Sequence, residues 1–463
     1  MEFSDEQQDV FNKYIDGKNV FITGPGGTGK SEIIREIYKH ATTRNKKICV
    51  TALTGCAAVL LQCCAKTLHS YAGIGNSVGT TEEIIKKIAT NKYKKKNWLE
   101  TDILIVDEVS MLSLKIFDLL NKIGQRVRKC PTKPFGGIQV IFSGDFFQLP
   151  PVGDPYDPDT CKFCFESEDW DTVFPRENQI KLEKIFRQQD PIYATILNQI
   201  REGILKRSGY EILLKYVGRP LPDSTNGIIP TKLFPTRSKV DYVNNMEMEK
   251  LYSVENVYAL NKIYNIKSDQ SRPSPIKTKN QYFTASDIER ELDYLAKNVP
   301  CDPEIRLKIG AQVMCVVNMP DINMSLCNGS QGIVTGFNSV GTPLIKFHGF
   351  AEEIPITPHT WQSETIPNVG VSQLPLILSW ALTIHKAQGK TLDFAEIDVG
   401  NNVFECGQTY VALSRVKSLE GLYLTSFNYQ KILTNKKVKQ RWGKTQTPTL
   451  TSTPTPTPTP TPT

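Results

Sequence analysis

Four glycines, a lysine and two hydroxyls fall within eight residues in Gly24-Pro-Gly-Gly-Thr-Gly-Lys30-Ser31. Gly24, Gly26, Gly27 and Gly29 put no side chain between the backbone and a bound anion. The N–H groups of this stretch, that of Thr28 included, can then wrap a phosphate. A helix starting at Ser31 adds the favourable dipole of its N-terminus. In such a loop Lys30 reaches the β- and γ-phosphates and Ser31 ligates Mg²⁺. Further along, the apolar run Ile103-Leu-Ile-Val ends on Asp107-Glu108. A buried strand ending on two carboxylates supports two tasks. Asp107 can hold the Mg²⁺ shell, and Glu108 can act as general base on an attacking water. A glycine-rich turn or an acidic loop alone is common. The two together, each after a strand, indicate hydrolysis of a nucleoside triphosphate without saying what it drives.

These groups need elements to position them. A short helix over residues 4–16 is capped by Ser4. Asn19–Thr23, Lys47–Ala52, Ile103–Val106 and Ile138–Phe142 read as strands, and Ser31–His40 and Thr80–Lys96 as helices. Strands alternating with helices predict a parallel sheet covered on both faces. The alternation resumes near Lys232 and again from Leu376. Between 311 and 375 the pattern changes to short apolar stretches split by Asn-Gly, Gly and Pro, which reads as a small antiparallel barrel. The fold class expected is therefore α/β, with two P-loop-type domains of parallel sheet and a small β-barrel inserted in the second.

Several further segments resemble the Pif-type (petite integration frequency) DNA helicases, in the RecD-like branch of helicase superfamily one. Phe3-Ser-Asp-Glu-Gln7 is similar to that family's adenine-reading segment, which implies Gln7 on the base edge. Thr51-Ala-Leu-Thr54-Gly55 and Thr67-Leu-His69 resemble its first strand-contacting motif. Phe142-Ser-Gly-Asp145-Phe-Phe-Gln148 resembles the motif whose glutamine senses the γ-phosphate. Ile185-Phe-Arg187-Gln and Tyr410-Val-Ala-Leu-Ser-Arg415 resemble the two that supply arginine fingers. Arg306-Leu-Lys-Ile-Gly310 with Asn328-Gly-Ser-Gln-Gly332 resembles the barrel entry. Thr383-Ile-His385-Lys-Ala-Gln388-Gly389 resembles the penultimate motif. The likeness runs from about Phe3 to Tyr423, in family order.

The resemblance implies two RecA-like domains and an ATP-dependent DNA helicase moving 5′ to 3′ on single strands, in replication, recombination or repair. ATP and Mg²⁺ are the implied cofactors, and single-stranded and forked duplex DNA the partners of a monomer. It implies catalytic roles for Lys30, Asp107, Glu108, Gln148, Arg187 and Arg415, and nucleotide contacts from Gln388 and Gly389 besides Gln7 and the loop. Strand contacts fall to Thr54, Gly55, His69, Asn328, Thr383 and His385. Residues 1–180 form the first domain, with a strand-separating insertion at about 66–98. Residues 181–310 and 376–430 form the second, which would offer both arginines. Residues 311–375 form the barrel, and 431–463 a basic segment and a disordered Thr/Pro tail. One departure is Leu60-Leu-Gln-Cys-Cys-Ala-Lys66, where relatives often carry a glycine-rich bend. Two other readings compete: an RNA helicase of the same superfamily, and a DNA-binding scaffold with a dead ATP site. Intact Lys30, Asp107, Glu108, Gln148, Arg187 and Arg415 argue against the scaffold.

Composition sets bounds. The 463 residues exceed one ordinary core and suggest two or three domains. A net charge of +7 suits a polyanion partner but decides little. The first residues lack a secretory h-region, no apolar run reaches membrane-spanning length, and the eleven cysteines suit a reducing intracellular setting. Cys161 and Cys164 have metal-like spacing but no second pair to complete a zinc site. Tyr71, Phe146 and Phe147 fit base stacking and core packing equally well. Lys436, Lys437, Lys439 and Arg441 read as a solvated end.

Overall fold

The computed structural model describes residues 3–54, 57–58, 61, 63–74, 80–188, 190–220, 229–264, 283–317, 319, 326, 329–363, 366 and 368–443. The first lobe is built on six parallel strands, in the order Lys66–Thr67, Ile48–Ala52, Ile103–Asp107, Gln139–Ser143, Val20–Thr23, Gln179–Lys181. Val20–Thr23 and Ile103–Asp107 are buried at every position, as strands covered on both faces require. Helix Asp5–Ile15 starts at a reciprocal capping box between Ser4 and Gln7. Helix Lys30–Thr43 starts directly after Gly29, whose φ of 81° makes the turn out of the loop.

The helix expected over Thr80–Lys96 is two helices, Thr81–Thr90 and Lys92–Glu100, broken at Asn91. The break lets the second helix turn inward. Its Trp98 is fully buried, donates from Nε1 to the Ala72 carbonyl, and lies 5.2 Å from the Tyr71 ring.

A second parallel sheet carries Ala381–Thr383, Thr231–Phe234, Ala395–Val399 and Leu422–Phe427. The inserted antiparallel part centres on five strands, ordered Glu353–Pro355, Pro343–Phe347, Gln331–Phe337, Gln312–Cys315, Leu376–Leu378. Its pairing extends beyond 311–375. Glu304–Leu307 pairs with Asn256–Ala259, and Asn261–Ile263 joins Gly370–Gln373 and His359–Gln362. These early strands are short and half exposed, so they lack the apolar run that marks a strand in sequence.

The two lobes are joined through helix Pro191–Arg201. Arg201 donates from Nε and Nη2 to the Asp145 carboxylate at 2.9 and 2.6 Å. The two side chains are 3% and 0% exposed. The Arg201 guanidinium also lies 4.1 Å from the Phe147 ring centroid. On the same helix the Tyr193 hydroxyl donates to the Leu413 carbonyl of the second lobe at 2.7 Å.

The basic segment near the C-terminus is not a solvated end. It is helix Lys436–Trp442, packed on the first lobe. Val438 is fully buried, and Trp442 stacks on Phe146 at 4.7 Å and meets Phe165 edge-on at 4.6 Å. Lys437 pairs with Glu166 and Arg441 with Asp171, so two of its four cations are neutralised by the lobe they sit on. The Thr/Pro tail lies outside the described residues.

Candidate active site

The phosphate loop is a cradle in which glycine is needed at particular points. Gly24 has φ +147°, and a Cβ there would lie 2.5 Å from the Leu182 carbonyl oxygen. Gly27 has φ +87°, and its Cβ would overlap the Arg187 side chain at 2.4 Å. Thr28 Oγ1 donates to the Pro25 carbonyl at 3.0 Å and holds the turn. Lys30 Nζ donates to the carbonyls of Gly24 and Pro25 at 2.8 and 2.9 Å, so its ammonium lies under the loop. Burial lowers the Lys30 pKa, against the opposing pull of Asp145, Glu108 and Asp107. Ser31 stands beside it in the first turn of helix Lys30–Thr43. Gln7 abuts the loop, its Nε2 2.6 Å from where a Gly29 Cβ would stand.

Asp107 ends its strand 7% exposed. Burial, then the neighbouring Glu108 charge, pushes its carboxyl up to about 6. Glu108 adopts φ 58°, ψ 40°, a left-handed conformation unusual for glutamate. That turn sends its carboxylate across the cleft, where Gln388 Nε2 donates to it at 3.0 Å. Gln388 caps the short helix Ile384–Ala387, and Gly389 follows at φ 79°. Gln148 is buried, and its carbonyl lies 2.5 Å from where a Gly407 Cβ would stand, so the second lobe touches the first there.

Arg187 and Arg415 converge on one point of the loop. A Cβ at Gly26 would lie 3.5 Å from Arg187 Nη1 and 3.8 Å from Arg415 Nη2. Arg415 is held by the carbonyls of Val411 and Lys390 and by Ser414 Oγ. Burial, then Arg187, lowers its pKa to about 9, so these two cations are placed together at an electrostatic cost. Arg187 Nη1 is buried with no hydrogen-bond partner among the described residues. The two arginines do not both come from the second lobe. Arg187 lies on the connecting segment after Gln179–Lys181, and the preceding Phe186 N–H donates to the Gly27 carbonyl at 2.8 Å. It is therefore anchored to the phosphate loop itself.

Thr54 and His69 follow strands of the first sheet, Thr383 ends a strand of the second and His385 follows it, all at carboxyl ends. Thr383 Oγ1 accepts from Lys386 N–H at 3.0 Å and fixes the turn. His69 and His385 are half-buried, and burial lowers the pKa of each. Gly55 and Asn328 lie outside the described residues. Tyr71, Phe146 and Phe147 are core residues, 0%, 2% and 4% exposed, and offer no face to a base.

Two residues at the cleft escaped the reading of the sequence. Phe186 is 51% exposed, with its ring 3.6 Å from where a Gly29 Cβ would stand, on the loop also touched by Gln7. An aromatic next to Arg187 was the available signal. Tyr410 reaches the loop from the second lobe and accepts a hydrogen bond from Gly26 N–H at 2.9 Å. Only its place in the segment ending at Arg415 hinted at it.

Two lobes of parallel sheet, a phosphate loop on the first and Arg415 of the second meeting it across the cleft define a P-loop protein of two RecA-like domains. Residues 2–206 match the family model of the PIF1-like helicases, and residues 292–337 match that of the DNA helicase Pif1 2B domain. The chain is 35% identical over 480 residues to the ATP-dependent DNA helicase PIF1 of Emericella nidulans, covering 91% of this chain and 60% of that protein. It is similar to the crystal structure of Pif1 helicase from Candida albicans, with TM-score 0.73 and 33% identity over 96% of this chain and 99% of the other. A structure of Pif1 helicases described as two coordinating molecules unwinding forked duplex DNA aligns at TM-score 0.61 and 28% identity, covering 95% and 96% of the two chains. The chain belongs to the PIF1-like helicase family.

Proposed function

We propose that this chain is an ATP-dependent DNA helicase that translocates 5′ to 3′ on single-stranded DNA and opens forked duplexes. The observation that carries the reading is the cleft. Gln388 of the second lobe holds Glu108 of the first, and Arg415 meets Arg187 over the loop at Gly26. A triphosphate bound there would draw the lobes together, and its hydrolysis would release them. Strand contacts on the two lobes, at Thr54 and His69 and at Thr383 and His385, would then tighten and loosen in turn. DNA as the track, the polarity, and a place in replication, recombination or repair rest on likeness to the family. Action as a monomer and an intracellular setting belong to the same proposal. Nine described cysteines are free thiols, and no helix among the described residues is long and apolar enough to cross a membrane.

In the chemical step, the oxygen of a water attacks the γ-phosphorus as Glu108 takes its proton. The bond to the β-phosphate oxygen breaks and ADP leaves. Lys30, Arg187 and Arg415 oppose the charge spread over the transferred group. Gln148 orients the water or senses the γ-phosphate, and Gln7 selects adenine. Ser31 and Asp107 would hold Mg²⁺, which supplies charge neutralisation at the phosphates. The fit is chemical: a buried carboxyl pushed up to about 6 beside a second carboxylate gains from a divalent cation.

Strand displacement on duplexes carrying a 5′ or a 3′ single-stranded tail, with DNA and RNA tails compared, tests the proposal. Unwinding confined to the 5′-tailed DNA supports it. Preference for a 3′ tail overturns the polarity, and preference for an RNA tail overturns the choice of track.

A further inference from the structure

Tyr410 spans the cleft. Its hydroxyl accepts from Gly26 N–H at 2.9 Å, though the two residues are 384 positions apart. The side chain is 3% exposed, and every residue of its helix, Gln408–Leu413, is buried. The packing leaves the ring little freedom, so the hydroxyl is held where it is seen. That place is shared. A Cβ at Gly26 would meet Arg187 Nη1 at 3.5 Å, Tyr410 Oη at 3.7 Å and Arg415 Nη2 at 3.8 Å. A hydroxyl and two guanidinium groups thus surround one amide of the phosphate loop. The hydroxyl spends a lone pair on Gly26, and among the described residues no acceptor takes its proton. Burial pushes the phenol up to about 12, so the proton stays in place at neutral pH.

We propose that Tyr410 is a specificity-determining residue of the nucleotide site, its hydroxyl donating to the terminal phosphate of ATP while it holds Gly26. This rests on the ATPase reading of the cleft and deepens it. A cation attracts any phosphate, and two arginines alone would grip a diphosphate as well as a triphosphate that reached them. A neutral hydroxyl fixed by a loop amide is directional and is satisfied only when an oxygen occupies one position. The second lobe would therefore tell ATP from ADP by a hydrogen bond as well as by charge.

Tyr410→Phe removes the hydroxyl and keeps the ring. The affinities of the full chain for adenylyl imidodiphosphate and for ADP, both with Mg²⁺, are compared with those of the parent. Steady-state ATP hydrolysis with single-stranded DNA is measured alongside. A hydrogen bond to a charged group is worth about tenfold in affinity or more. The expected result is about tenfold weaker binding of the imidodiphosphate, ADP affinity within about twofold of the parent and a similar fall in kcat. The ratio of the two affinities does not depend on the folded fraction. An unchanged ratio overturns the proposal, and an unchanged ratio with a lowered melting temperature shows that the hydroxyl only ties the lobes together. A parent chain that neither hydrolyses ATP nor binds the imidodiphosphate overturns the underlying ATPase reading. An active parent matched by Tyr410→Phe overturns the Tyr410 assignment alone.

Discussion

Replacing Arg201 with Met should strongly destabilise the junction of the lobes. Arg201 gives Asp145 three hydrogen bonds, at 3.2, 2.9 and 2.6 Å, and the side chains are 3% and 0% exposed. Methionine keeps part of the volume beside Phe147 without the charge. What changes is that the Asp145 carboxylate stays buried with its cation gone. Breaking a buried pair on one side costs roughly 3–5 kcal/mol, mostly the uncompensated charge. For a unit of 150–250 residues each kcal/mol moves the midpoint about 2–4 °C, so the first transition should fall by roughly 6–20 °C. Differential scanning calorimetry on the full chain reads this. The double variant Arg201→Met with Asp145→Leu removes both charges and should recover at least half of the loss. A shift under about 2 °C in the single variant, or no recovery in the double, would show that the pair is solvated in solution.

Three further outcomes follow from the same geometry. The Asp107 carboxyl is raised to about 6 from 3.8, so its ionised form opposes folding at neutral pH and that penalty fades as pH falls through about 6 towards 4. In chelator, Asp107→Asn should therefore melt above the parent at pH 7.5 and level with it near pH 4, while ATP hydrolysis is lost; a lower melting point at pH 7.5 would remove the charge explanation. Deleting 444–463 should leave the melting temperature unchanged, since alternating Thr and Pro cannot bury apolar surface. Deleting 436–463 also strips Val438 and Trp442 from the first lobe, at roughly 3 kcal/mol, and should lower the first transition by about 10 °C. Equal melting of the two truncations would show that the helix is not docked.

Much of the candidate site's geometry was legible because its demands are local. A loop wrapping phosphate needs glycines at close spacing, and a buried strand ending on acids reads as an apolar run followed by Asp107 and Glu108. What stayed hidden depends on distance along the chain. Nothing near Tyr410 shows that it meets Gly26, and nothing near Arg187 shows that its neighbour is tied to Gly27. The strands from Asn256 to Ile263 were missed because half-exposed strands of three and four residues carry no clear period. The C-terminal helix was misread because its cations dominate the composition. Val438 and Trp442, four residues apart and so on one helical face, were the signal for a docked helix.

We propose that Arg415 of the second lobe serves a nucleotide bound on the loop of the first, so that hydrolysis and strand separation are one process. Arg415→Lys tests it, because lysine keeps the charge but cannot reproduce the planar fork that is held by the carbonyls of Val411 and Lys390 and would grip a phosphate. The direct measurement is ATP hydrolysis and strand displacement in the same samples of parent and variant on forked DNA with a 5′ tail. Both should fall together, by about a hundredfold or more as for a lost arginine finger, while single-strand binding without nucleotide holds within about twofold. Unwinding retained at the parent rate, or hydrolysis retained while unwinding is lost, would contradict it.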